Sequence, residues 1–284
     1  MAKKYYPVQR KMRLAEVSPQ SNNATMFIDT MSNLCKVNHR LYRQSRVPMV
    51  KVEIDASLPT GSIVDVYALS DTWMNHKAYE FAKKTYDKNS KEELAALTKT
   101  NVGRWNDFRV KLGASAASMD AVVEGDGSAS ILTAGNFGSS EVTDAAGVTH
   151  TFRWIGSSSA EFNIIDEYDR TGDTQQMPTF AQGTAAYADL DDGIDSDQVE
   201  HLSEQGNEAP YDDRNLENNC LTRVGRLFVD AEGQGKLTTA YFNAPCGFVL
   251  LEGQGGITSI TLSNHVSVEV QSGDYKGIKA PSYL

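Results

Sequence analysis

NHRLYRQSRVPMVKVEID, residues 38–55, sets Arg40, Arg43 and Arg46 around Tyr42 and then runs directly into an alternating segment. Val50, Val52 and Ile54 alternate there with Lys51, Glu53 and Asp55. Successive side chains on a strand point to opposite faces, so the segment reads as a strand with one buried face and one wet face. The arginines then stand at the mouth of that strand. Fold class depends on whether the rest of the chain repeats the pattern.

It does, in both directions. Leu58-Pro-Thr-Gly61 turns the chain into a denser apolar run at 63–69, as expected for a strand covered more fully. Segments 149–155 and 161–166 are rich in β-branched and aromatic residues. The C-terminal part offers further strands at 221–229, 237–242, 247–251, 257–262 and 266–270, most of them separated by Gly, Asn or Pro. Several short strands at this spacing predict an all-β fold, an antiparallel sandwich or barrel, not βαβ units. Between them, residues 113–147 are dominated by Ala, Ser and Gly and read as long surface loops or weak strands.

One segment breaks the pattern. Ala78, Phe81, Ala82 and Tyr86 share a stripe at helical spacing, with Asp71 or Thr72 as N-cap. Ser90-Lys-Glu-Glu93 is a capping-box pattern, which predicts a second short helix carrying Leu94 and Leu97. A helical insertion over about 72–100 follows.

Charge divides the chain. The 284 residues carry −10 in total, yet the first 51 hold ten Lys and Arg against only Glu16 and Asp29, a net +8 that leaves −18 for the remainder. Residues 1–25 are polar and basic, with Pro7 and Pro19, and read as an arm without its own core, order beginning near Phe27. At the other extreme, residues 189–217 set eleven acids against Arg214 alone, which predicts a solvated, self-repelling loop. Basic end and acidic body together point to a polyanion on one side of the molecule.

The motifs of common catalytic sites do not occur. The chain has no GxSxG, HExxH, P-loop or paired CxxC. Gly125-Asp-Gly127 is followed by Ser130 where a dinucleotide fingerprint needs Gly, and the five histidines stand singly. No catalytic residue and no cofactor is therefore expected. Cys35, Cys220 and Cys246 are odd in number and far apart, which predicts reduced thiols. No uncharged apolar run approaches membrane-spanning length, so no membrane partner is expected. Asp189, Asp191, Asp195 and Glu200 have the alternation of a calcium loop, but the Gly falls at position five instead of six, so a metal-free acidic loop is preferred.

The arm carries the clearest chemistry. Lys3, Lys4, Arg10, Lys11 and Arg13 neutralise phosphates irrespective of base sequence, and Tyr5, Tyr6 and Tyr42 offer ring faces for stacking. Five such contacts give a salt slope of only about 3.5 on single strands. Repetition over many copies makes later contacts effectively intramolecular, so the arm is useful chiefly in an assembly.

FIDTMSNLCKVNHRLYRQSRVPMVKVEID (27–55), VDVYALSDTWMNHKAYEFAKKTYDKNSKEELAAL (64–97), GRWNDFRV (103–110), AYFNAPCGFVLL (240–251) and VEVQSGDYKGIKAPSYL (268–284) resemble capsid proteins of uncultured marine viruses with circular, Rep-encoding single-stranded DNA genomes. The resemblance covers residues 27–109 and 236–284, somewhat under half the chain. It implies a single jelly roll with a short helical insertion, eight antiparallel strands in two sheets, and a basic N-terminal arm facing the packaged genome. The expected organisation is an arm at 1–25 and a shell domain at 26–284.

Such a subunit would self-assemble into an icosahedral shell inside the host cell and be found in the virion. Lys3, Lys4, Arg10, Lys11, Arg13, Arg40, Arg43 and Arg46 would meet single-stranded DNA. Coats of this kind often carry a long Arg-rich arm, whereas this one is short and the body is acidic. The alternative is a β-sandwich carbohydrate-binding module, calcium-dependent if the acidic loop binds metal, with Trp73 or Trp154 stacking on the glycan. A hydrolase with dispersed carboxylates is a third reading and requires closely paired acids in a deep pocket.

Overall fold

The computed structural model describes residues 7–17, 24–55, 58–96, 105–113, 116–125, 128–132, 138–143, 147–155, 161–173, 220–229 and 236–284. Its strands, in chain order, open with β1 (Lys11–Glu16), β2 (Thr25–Asp29), β3 (Met49–Ile54) and β4 (Ile63–Leu69). There follow β5 (Ala117–Gly125), β6 (Ser128–Ile131), β7 (Glu141–Thr143), β8 (Thr149–Arg153) and β9 (Glu161–Asn163). The C-terminal part adds β10 (Leu221–Phe228), β11 (Leu237–Thr238), β12 (Phe242–Asn243), β13 (Phe248–Gln254) and β14 (Val266–Val270). Helices α1 (Thr30–Asn38), α2 (Trp73–Ala96), α3 (Ile164–Asp173) and the single turn α4 (Ser259–Leu262) complete the described elements.

An 11-stranded sheet runs β10-β4-β13-β2-β5-β1-β14-β3-β11, with β12 also on β3 and β6 on β5. Every pairing in it is antiparallel except β2 with β5. The sheet curls until its ends nearly meet. Gly225 of β10 approaches Thr239, just beyond β11, so closely that a Cβ on Gly225 would lie 3.5 Å from the Thr239 methyl. The register of β10 shifts between Arg223 and Gly225, a bulge that bends the strand toward this meeting point.

Alternation places the core. Met12 and Leu14 of β1, Val50, Val52 and Ile54 of β3, and Val266, Val268 and Val270 of β14 point inward and are buried. They meet Met26, Ile28, Val64, Val66, Val249 and Leu251 from the opposite stretch of sheet. That stretch buries its outer face too. Phe27, Phe248 and Leu250 pack into a second core with Ala78, Tyr79 and Ala82 of α2, Phe108, Phe152, Trp154 and Ile165. Edge-to-face ring contacts knit each layer, Phe27 with Phe248 within the sheet and Phe108 with Phe152 within its cover, both at 5.1 Å between centroids. The β1–β14–β3 stretch has no such cover among the described residues, and its outer face is polar.

Several expectations need correction. The chain is mostly β, not all-β. Strand β1 lies well before Phe27, so Arg10, Lys11 and Arg13 do not belong to a coreless arm; β1 is a sheet strand held on both sides by β14 and β5. The insertion is one helix, α2, running through Ser90. A capping box satisfies free N–H groups at a helix start, and inside a continuing helix those donors already have carbonyl partners. Segment 257–262 contains the turn α4 in place of a strand.

Strand β9 stops at Asn163, whose side-chain Oδ1 accepts from the N–H groups of Ile165 and Asp166 and so starts α3. Helix α1 is an element not expected from the sequence, although Met31, Leu34 and Cys35 stand at helical spacing; it begins where Asp29 Oδ1 accepts from the Ser32 N–H at 2.8 Å. Its fully buried Asn33 then bonds the Met119 carbonyl and the Ala121 N–H of β5, docking the helix like an extra strand partner.

Gly247 and Gly256 both occupy the left-handed region, at φ +76° and +85°. A Cβ at Gly256 meets nothing within 4 Å, while one at Gly247 would sit 2.6 Å from Met31 Cγ and 3.0 Å from the Met31 nitrogen. Gly256→Ala is expected to cost about 1 kcal/mol from backbone strain alone, and Gly247→Ala at least about 2 kcal/mol more. Thermal unfolding of the two variants checks this, and equal midpoints would refute the packing of α1 on residue 247.

Candidate nucleic-acid interface

The outward side chains of β1, β14 and β3 form one surface. Register sets Lys11 opposite Glu269 and Glu269 opposite Lys51, with Arg13 opposite Ser267 and Ser267 opposite Glu53. Lys11, Lys51 and Lys236 converge on Glu53, the last two at 2.8 and 3.7 Å. Glu53 is itself 93% covered by them and the sheet, its side chain only 7% exposed. Hydrogen bonds from Lys11 and then Lys51 hold its carboxyl well below the usual range, down to about 2. Arg13 is exposed and donates Nε to the Asn264 carbonyl at 2.7 Å, and Arg10 is exposed where the chain enters β1. Five cations thus share this region with the carboxylates of Glu53 and Glu269.

A second basic group lies at the edge where β3 begins and β14 ends. Tyr42 is fully buried, donates its hydroxyl to the Lys276 carbonyl at 3.2 Å, and takes the Cys35 sulfur as acceptor for its N–H at 3.1 Å. Its ring is therefore no face for a base, contrary to expectation. Burial pushes the phenol up, and Arg40 beside it pulls it partly back.

The ring beside the arginines is Tyr275. The Arg46 guanidinium lies 4.3 Å above it, Lys276 Nζ lies 5.5 Å from its centroid, and its hydroxyl accepts from the Arg43 N–H at 3.2 Å. Lys276 Nζ also donates to the Leu41 carbonyl. Burial lowers the Lys276 ammonium, and Arg43 and Arg46 are among the charges that depress it further. Lys276 adopts φ +52°, a conformation that side chains enter at a cost, in a turn closed by mutual backbone bonds between Tyr275 and Ile278.

The structure therefore joins Arg10, Lys11 and Arg13 to Arg43 and Arg46 along one sheet, although 30 residues separate them. It adds Lys51, Lys236, Tyr275 and Lys276, which sequence reasoning did not select. The only local signal for the last two was an aromatic–cation pair after Gly273-Asp. Lys3 and Lys4 lie outside the described residues, as do Asp189, Asp191, Asp195 and Glu200. Among the described residues no group of three His, Cys, Asp or Glu is placed to hold a metal ion.

Trp154 is fully buried, so it cannot stack on a glycan; Trp73 is half-exposed at the start of α2. All three cysteines are free and buried, and burial pushes Cys35 up to about 11 and Cys220 to about 12, which keeps the thiols protonated and unreactive. No described helix is long and apolar enough to cross a membrane. No family model, curated protein or solved structure matches the chain.

The Glu53 environment sets a pH dependence. Above 4.5 the carboxylate is charged whether the chain is folded or not; between 4.5 and about 2 the folded form retains a charge that the unfolded form loses. Its stabilising contribution is thus complete above the unfolded value and disappears as pH falls through that window. The thermal midpoint of the native protein should drop more steeply from pH 4.5 to 2 than that of Glu53→Gln. Parallel melting curves would show that the three lysines do not hold a charged Glu53.

Proposed function

We propose that this chain is the coat subunit of a single-stranded DNA virus, a single jelly roll that assembles with copies of itself into an icosahedral shell and turns its basic strip toward the genome. The observation that carries the reading is the segregation of cations onto the outer face of one half of a curled sheet whose other half is covered by a second core. A subunit with one wet cationic face and one thickened face has an inside and an outside. Each copy binds nucleic acid weakly by this strip, and a closed array binds it strongly.

The order of the strands supports the fold named in the reading. Two rows, β1-β14-β3-β11 and β2-β13-β4-β10, can be followed in the sheet. The first four strands alternate between the rows, and β10, β11, β13 and β14 return beside them. Strands β4 and β10, β3 and β11, β2 and β13, β1 and β14 are each antiparallel neighbours. That is the pairing of one long hairpin rolled up, as in jelly rolls. Strand β5, wedged between β1 and β2, is an addition from the long insertion between β4 and β10. Virion localisation and assembly inside a host cell follow from the same reading.

The test keeps β1 intact, because removing residues 1–13 would take half a sheet strand along with the charges. Purified native protein should form closed particles in negative-stain microscopy. The combined variant Lys11→Gln, Arg13→Gln, Lys51→Gln should form similar particles with a lower ratio of absorbance at 260 to 280 nm. Its salt slope on single strands should fall by about 2. Only monomers or small discrete oligomers across a range of salt and pH would defeat the shell. Particles with unchanged nucleic acid content would defeat the role given to the strip.

A further inference from the structure

A polar cleft opens between the second half of α2 and segments 105–109 and 138–141, in the layer that covers the β2-β13-β4 row. Two lobes of about 160 and 290 Å³ share Tyr86, Ser90, Asn106 and Asp107 as common walls. Arg43, Ser45 and Lys83 line the first lobe; Trp105, Ser139 and Glu141 line the second.

The charged groups cancel. Arg43, Lys83 and Arg109 face Asp87, Asp107 and Glu141, so the cleft is formally neutral, unlike the basic strip. Its floor is fixed. Asp107, with a side chain only 7% exposed, accepts from the Gln44 N–H at 3.0 Å and lies 3.9 Å from Arg109 Nη1. Arg109, almost wholly buried, is anchored in turn by Asp29, and its backbone N–H donates to Ser140 Oγ at 2.9 Å. Burial raises the Asp107 carboxyl, while the Gln44 N–H and Arg109 draw it back.

This wall chemistry selects a ligand class. An apolar ligand would strand open polar groups of the walls, such as the exposed Asn106 amide, without hydrogen-bond partners, at a cost of about 1–3 kcal/mol per group. A phosphate would meet as much negative as positive charge. A ring rich in hydroxyls answers both conditions: it donates to carboxylates, accepts from amide and ammonium groups, and offers C–H faces to the Tyr86 and Trp105 rings.

We propose that the cleft is a binding site for a neutral sugar residue, with Asn106 and Asp107 taking ring hydroxyls and Trp105 or Tyr86 packing on the ring. The volumes, at or below the small end of the usual ~300–1,000 Å³ for ligand clefts, fit one or two sugar units. The proposal uses none of residues 189–217 and invokes no metal. It stands or falls independently of the coat reading.

Saturation-transfer NMR on the full chain tests it. The probes are methyl α-mannoside, methyl β-galactoside and N-acetylglucosamine, each on the order of 10 mM as weak single-site binding requires, with N-acetylneuraminic acid and inorganic phosphate as anionic comparisons. At least one neutral sugar should receive saturation, and its affinity should fall tenfold or more in Asn106→Ala and in Trp105→Leu. The exposed Asn106 makes its substitution compatible with folding, which circular dichroism checks. The Lys11, Arg13, Lys51 triple variant should bind the sugar unchanged, which separates this site from the strip. No transfer to any neutral sugar, transfer to the anions alone, or binding that survives both cleft substitutions would overturn the assignment.

Discussion

Two-residue alternation across β1, β14 and β3 decides which side of this molecule meets water. Met12, Val268 and Val52 form one column across the three strands and point into the first core, while Lys11, Glu269 and Lys51 form the neighbouring column and point out. A slip of one residue in any of these ladders would carry lysines or an arginine into the core and valines into solvent. The ladder is therefore tightly specified, and the cationic surface is a by-product of the same constraint that builds the core. Glu53 sits within that surface as a local neutraliser, holding three lysines in place without cancelling them.

The β2-β13-β4 row follows a different rule because much of it is covered on both faces, and several polar groups caught there are held by specific partners. Asp65 on β4 is fully buried and takes two hydrogen bonds of 2.7 Å from Arg226, its direct register partner on β10. The pair lies just past the bulge at Gly225, where the register of β10 would otherwise be least constrained. Arg226 is itself nearly half-exposed, so the pair acts as a register pin more than as a source of net stability. Asp29 does three tasks at once: it ends β2, caps α1 and anchors Arg109 beneath the cleft.

The proposed functions divide along the same line. The wet row gathers positive charge on one face of the sheet, the arrangement invoked for an extended polyanion read without regard to base sequence. The covered row supports a concave site whose charges balance and whose polar groups are held rigid from below, which suits a small ligand read by directional hydrogen bonds. Arg43 lies where the two meet, its N–H on Tyr275 and its side chain on the cleft.

Local pattern was enough for β3, β4, β10 and β14, because alternation and turn residues are written within a few positions of each strand. It was enough, too, for the stripe of α2 and for the excess of cations in the first 51 residues. It was not enough for β1, where a basic sequence with Met12 and Leu14 resembles an arm until β14 and β5 flank it, nor for β5, whose small residues earn their place only between β1 and β2. Nor could it show that Tyr42 is interior while Tyr275 is the ring beside the arginines, since residues 42 and 275 meet only through the folded tail. Hydrophobic period is a property of neighbours in sequence, so the chain alone determined the strongly alternating strands and the charges they carry. Pairing, burial and the convergence of distant charges depend on contacts between remote segments, and those only the tertiary structure decided.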